Sequence, residues 1–278
     1  MSYKTILVHL NDERRVAGLV EAAAHLASRY QSHLIGLYAL PPVPTYGATA
    51  AGAGMIKSGL NTFVEEAKRV QAKFEHATAG RPFVSEWRLV SADRLGFAET
   101  IMEHGRAADL IMVGQRDGAW AYSTLLDEPE RLAIESGRPV IIVPHSGKFP
   151  IFGRRITLAW NGRREAARAA FDALPLLKAA ESVRIVWINP QDEANDTGDI
   201  PAAEIAVCLS RHGVKCETAK SFATDVKVGD VLLSDLADDG SDLLVMGAYG
   251  SSRIREFVFG GTTRHILRSM TVPVFMSH

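Results

Sequence analysis

Residues 241–247 read SDLLVMG, and residues 108–114 read ADLIMVG, the same seven-residue phrase at an offset of 133. Each is a short, almost continuous apolar run that starts at an aspartate and stops at a glycine. Such a run suits a strand buried on both faces of a parallel sheet, and its repetition points to one structural unit used twice. Reading toward the C-terminus, GRPVIIVPH (137–145) matches MTVPVFMSH (270–278) at the same offset. From the glycine to the final histidine, the two copies therefore keep one spacing. Reading toward the N-terminus, YKTILVHLN (3–11) matches RRITLAWN (154–161), with Asn11 opposite Asn161 at an offset of 150. The first copy carries about 17 extra residues, and PPVPTYGATAAGAGMIKSG (41–59) is the stretch with no counterpart. Its Pro, Gly and Ala content reads as a long loop.

The rest of each copy alternates strand with helix. The first runs TILVHL, a helix whose apolar residues Val16, Leu19, Val20, Ala23, Ala24 and Ala27 follow a 3.6 period, HLIGLYAL, a helix over 58–77, SEWRLV, a helix over 96–107, DLIMVG, a helix over 128–136 and PVIIVP. The second runs ITLAW, a helix from 164, VRIVWI, a helix over 201–212, CETAKSF, a helix over 228–239, DLLVMG, a helix from 262 and PVFMS. This order predicts an α/β protein with parallel sheets flanked by helices, split into domains at 1–146 and 153–278 by the linker HSGKFPIFGR (145–154).

Composition narrows the function classes. The 278 residues carry 31 basic and 32 acidic side chains, a net charge of −1, which draws the chain to neither nucleic acid nor an anionic membrane. No apolar run approaches the roughly 20 residues that span a bilayer. The N-terminus lacks a signal-peptide layout, and Cys208 and Cys216 read as thiols, which together predict a cytoplasmic protein. The nine histidines show no HxxxH or HExxH spacing, and neither a G-x-S-x-G elbow nor a GxxxxGK[ST] loop is present, so no metal and no catalytic residue is predicted.

The chemistry concentrates after the repeated strand of the second copy, in GAYGSSRIREFVFGGTT (247–263). Gly247, Gly250, Gly260 and Gly261 permit close approach of a phosphate to backbone N–H groups, and the following helix supplies the positive end of its dipole. Ser251, Thr262 and Thr263 add hydroxyls, with the threonines expected to cap the helix or to donate to phosphate. Turn glycines with a threonine cap would leave the same trace. In the first copy, Gly250, Gly260, Gly261 and Thr263 become Asp117, Asp127, Glu128 and Glu130. Those acids would repel phosphate and are expected to cap their own helix; a cation site from Asp117, Asp127 and Glu128 is the remoter reading.

The spacing Gly247-x2-Gly250-x9-Gly260, the repeat and the strand order together resemble the universal stress protein family in its tandem two-domain form. The resemblance covers almost the whole chain. It implies an adenine-nucleotide α-hydrolase-like (Rossmann-like) five-stranded parallel sheet in each half, ATP with magnesium as ligand, and an intramolecular pseudo-dimer with PVIIVP beside PVFMS that can pair into a homodimer. It further implies a nucleotide site in the second half made of Ala159, Trp160, Asn161, Ile188, Met246, Gly247, Gly250, Ser251, Gly260, Gly261, Thr262 and Thr263. The sequence departs from the family pattern at Asn161, where an aspartate is usual, at Trp160, where smaller residues are common, and at Gly261, where Ser or Thr is usual. A stress-response regulator that uses ATP as a conformational ligand, with at most slow hydrolysis, is the function implied. A module that binds a partner or small ligand without nucleotide is the alternative.

Overall fold

The computed structural model describes residues 2–41, 50–92, 96–118, 129–188, 202–223, 225–248 and 261–278, with 50–60 described by backbone alone. The chain divides into two compact units, essentially Tyr3–Arg138 and Pro139–His278.

In the first unit the elements are β1 (Thr5–His9), α1 (Val16–Tyr30), β2 (His33–Leu40), α2 (Ala50–Thr78), β3 (Ser85–Ser91), α3 (Phe97–Gly105), β4 (Leu110–Gly114) and α4 (Glu130–Glu135). The strands run in the order β3-β2-β1-β4, all parallel. Ile6, Leu7 and Val8 of β1 and Leu110, Ile111 and Met112 of β4 are fully buried, as their unbroken apolar runs require. The aspartate that opens both repeated phrases has a structural job. Asp109 accepts the Lys4 and Thr5 amides at 2.7 and 2.9 Å, and Asp242 accepts those of Gly153, Arg154 and Arg155 at 2.9–3.1 Å. Each carboxylate thus ties the start of one strand to the start of its neighbour.

The second unit contains β5 (Val140–Val143), β6 (Arg155–Ala159), α5 (Arg164–Asp172), α6 (Leu174–Ala179), β7 (Ser182–Ile188), α7 (Ala203–Arg211), β8 (Cys216–Ser221), α8 (Val228–Asp239), β9 (Leu243–Gly247), α9 (Gly261–Ser269) and β10 (Val274–Ser277). Their order is β5-β10-β9-β6-β7-β8. All pairs are parallel except β5 with β10, where Val274 faces Ile142 and Met276 faces Val140. The expected juxtaposition of PVIIVP and PVFMS is therefore present.

One expectation fails. The stretch 41–59 is not a loop throughout, because α2 already begins at Ala50 and extends the expected helix by eight residues; 42–49 lie outside the described residues. Alanine is the best helix former, and a helix already nucleated downstream adds residues at one hydrogen bond each. Propagation outweighs the roughly 1 kcal/mol that each glycine costs.

Candidate nucleotide cleft

Parallel α/β sheets place ligands beyond the C-terminal ends of their strands, where the strand order reverses. In the second unit that reversal lies between β6 and β9, and a cleft of about 400 Å³ opens there. β6 contributes Ala159, Trp160 and Asn161, β7 contributes Val186 and Ile188, and β9 contributes Met246 and Gly247. The first turn of α9 supplies Gly261, Thr262 and Thr263. Nine of the twelve residues singled out in the sequence thus surround one space; the other three, Gly250, Ser251 and Gly260, lie outside the described residues.

Two helix starts complete the wall. From α5 and the turn before it come Arg163, Glu165 and Ala166, and from α8 come Val228 and Leu232. Sequence reading passed over these five. Arg163 and Glu165 follow Asn161 closely and carried a signal that proximity to a strand end would have exposed. Val228 and Leu232 look like ordinary helix core.

The β6–α5 turn explains how the site is shaped. Gly162 adopts φ +68°, a left-handed conformation that suits glycine. Asn161 Oδ1 accepts the Arg163 amide at 3.1 Å, a two-residue-forward bond that closes the turn. Trp160 holds the strand end by donating its amide to Val186 O at 2.8 Å, while its half-buried side chain lines the cleft.

Gly247 is required for a different reason from phosphate approach. A Cβ there would lie 2.5 Å from the carbonyl carbon of Glu165 and 2.6 Å from the Ala166 amide nitrogen. The start of α5 packs directly on the end of β9, and only glycine leaves room. The threonines also differ from expectation. The helix already includes Gly261, so Thr262 and Thr263 sit within its first turn and not at its N-cap. Thr263 is buried and Thr262 half-buried.

Glu165 is the buried carboxylate of the cleft, only 7% exposed. Burial pushes its carboxyl upward. The Arg164 guanidinium at 2.6 Å, its own backbone amide, and the positive fields of Arg164 and His278 outweigh this and hold it below the ordinary carboxylate value.

The first unit builds the equivalent place differently. Asn11 turns inward, only 5% exposed, and bonds Ala39 twice: its Nδ2 donates to Ala39 O at 2.8 Å, and its Oδ1 accepts the Ala39 amide at 3.2 Å. By strand register Ile188 holds the place of Ala39, yet Asn161 spends its oxygen on its own turn. The first unit thus fastens β1 to β2 where the second leaves a cleft wall. Arg15, at the position of Glu165, donates Nη1 to Gln115 O at 2.5 Å and lies against Gly114. Burial pulls the Arg15 guanidinium below its usual value. Arg14 bridges Asp117, the counterpart of Gly250, at 3.2 Å to Asp12 at 2.7 Å. Glu13 binds Arg69 and Lys73, each at 2.9 Å. Charged side chains of the chain itself span the strand ends of this unit. Asp127 and Glu128 lie outside the described residues.

Known proteins agree with this architecture. Residues 154–278 match the universal stress protein family. A universal stress protein of Synechocystis is 54% identical over 177 residues, a match that takes in 60% of this chain and 56% of the relative, so it spans little more than half of that protein. Among solved structures, a universal stress protein from Archaeoglobus fulgidus superposes with a TM-score of 0.70 at 16% identity, covering 98% of this chain and 95% of the other. A protein of unknown function from Pseudomonas aeruginosa gives 0.60 at 14% identity, covering 99% and 92%. At these identities the superpositions establish the fold alone. Residues 154–278 thus match the universal stress protein family, and the chain as a whole shares the fold of a solved member of that family.

Proposed function

We propose that the second unit binds an adenine nucleotide, ATP with magnesium or a close relative, in the cleft at the ends of β6, β7 and β9, as a conformational ligand in a stress response. The observation that carries the reading is the polarity of the cleft. One side is apolar, with Trp160, Val186, Ile188 and Met246 forming a surface suited to a planar base. The other side is the first turn of α9, whose N-terminal end and dipole favour phosphate, and Arg163 also lines the cleft. Gly250, Ser251 and Gly260 join this phosphate side by their place in the sequence. The first unit is the structural partner in this reading, since side chains of the chain occupy its strand ends. Two free thiols suit the reducing cytoplasm.

The test is calorimetric titration of ATP and AMP, with magnesium, into the wild type and into Gly261→Glu, which copies Glu128 of the first repeat. Among the described residues a Cβ at 261 meets nothing within 4 Å, and a carboxylate in the first turn suits the helix dipole; circular dichroism checks that the variant folds. A like charge within about 4 Å of phosphate costs up to roughly 4 kcal/mol near a protein surface, so ATP should weaken by at least about tenfold, and AMP by less. Equal ATP affinity in both proteins, or none in either at millimolar concentration, would overturn the proposal.

A further inference from the structure

In the second unit a titratable pair joins α8 to α9. His265 Nε2 lies 2.7 Å from Asp230 Oδ1. That nitrogen is closed off from solvent and has no aligned hydrogen bond among the described residues. A neutral imidazole therefore gains little from Asp230, whereas a protonated one gains a charge pair. The ring rests on Gly229, where a Cβ would lie 2.6 Å from its Cδ2. The other charged side chains that line the space around it are Lys227, at the start of α8, and Arg264 and Arg268 of α9 itself.

The repeat supplies an internal comparison. Subtracting 133, Asp230 becomes Phe97 and His265 becomes Leu132. Both counterparts are buried, 2% and 0% exposed, on the two helices α3 and α4 that pack together in the first unit. The first unit thus puts apolar side chains at this helix junction, and their packing is indifferent to pH. The second unit has a carboxylate and an imidazole at the same two positions. Imidazole is the side chain whose charge ordinarily changes between about pH 5 and 8, a range in which carboxylates are ionised.

Both helices also build the nucleotide cleft. Asp230 lies between Val228 and Leu232, which line it, and His265 follows Thr262 and Thr263 in the first turns of α9. A change in how α9 sits on α8 changes the wall of the cleft.

We infer that His265 and Asp230 form a pH-sensitive clasp. With the imidazole protonated, α9 is drawn onto α8 and the cleft wall is held; with the imidazole neutral, the hold slackens. The clasp stands on the helix junction alone, and its effect on a bound nucleotide rests on the reading above.

The experiment measures amide hydrogen exchange across α8 and α9 in the full-length protein at about pH 5.5 and about pH 8, expressed as protection factors so that the intrinsic effect of pH is removed. Asp230 is half exposed, which keeps the pair modest, so protection of α9 in the wild type should be about two- to fivefold greater at the lower pH. Asp230→Asn and His265→Gln should each abolish that difference. Comparing two pH values within one protein cancels any fixed loss of stability that a substitution brings. Asp230→Phe/His265→Leu, which installs the first unit's pair, should protect α9 equally at both. ATP with magnesium, titrated at the same two pH values, reads the link to the cleft. The wild type should gain affinity at the lower pH relative to Asp230→Asn by a similar factor, the nucleotide's own titration being common to both proteins. An equal pH dependence of ATP affinity in the two would overturn the link to the cleft. Protection that responds to pH, with no ATP binding at either pH, would keep the clasp and refute the nucleotide reading. Wild-type protection that is the same at both pH values, or a difference that survives in Asp230→Asn, would overturn the clasp whether or not ATP binds.

Discussion

A methyl group at position 247 would meet backbone atoms of α5 at 2.5–2.8 Å, whereas one at position 114 would meet the tip of the Arg15 side chain at 2.6 Å. Backbone in a packed unit yields little, and a guanidinium swings aside. Gly247→Ala should therefore destabilise the second unit by about 1–3 kcal/mol, the usual cost of overpacking, and Gly114→Ala should cost under about 1 kcal/mol. Urea denaturation of both variants reads the difference. The two asparagines divide in the same way. Asn11→Ala strands the buried amide and carbonyl of Ala39 and should cost about 1–3 kcal/mol, while Asn161→Ala, exposed at its turn, should cost less than about 1 kcal/mol. Glu165 gives a pH signature. Its carboxyl titrates below the ordinary value of 4.5 in the folded chain, so its contribution to stability is complete above that pH and is lost as pH falls through the lower folded value. The stability gap between the wild type and Glu165→Gln should narrow on acidification below about pH 4.5, and chemical denaturation at pH 7 and pH 3.5 measures it.

The repeated phrases and the alternation of apolar runs made nearly every element legible, because buried parallel strands have few other sequence signatures. What stayed hidden has physical reasons. The stretch 50–59 lacks apolar periodicity, so its small residues looked like loop although they extend α2. If this extension is held by propagation, Gly52→Ala with Gly54→Ala should slow amide exchange across 50–60 several-fold, since each change favours helix by about 1 kcal/mol. Unchanged exchange would mean that tertiary contacts hold the segment instead. The partner of β5 was anticipated through the family resemblance and not from its residues: VIIV is buried at all four positions and carries no alternation to fix direction or register. The cleft was legible where glycine and strand ends mark it. Val228 and Leu232 went unseen because a helix residue that lines a cleft has the same apolar character as one that fills a core.

For the whole molecule, one ancestral plan has been filled in two ways. The second unit keeps small and apolar residues around the ends of β6, β7 and β9, leaving a cleft. Ion pairs and an inward asparagine cross the strand ends of the first. On the proposed reading, duplication was followed by division of labour, and the second unit is the one that holds a ligand. Such a chain should bind one nucleotide, not two. The most direct test is the stoichiometry of ATP, titrated with magnesium into the intact protein of known active concentration. One ATP per chain, lost in Gly261→Glu, is the result this account predicts. Two per chain, or one that survives Gly261→Glu unchanged, would contradict it.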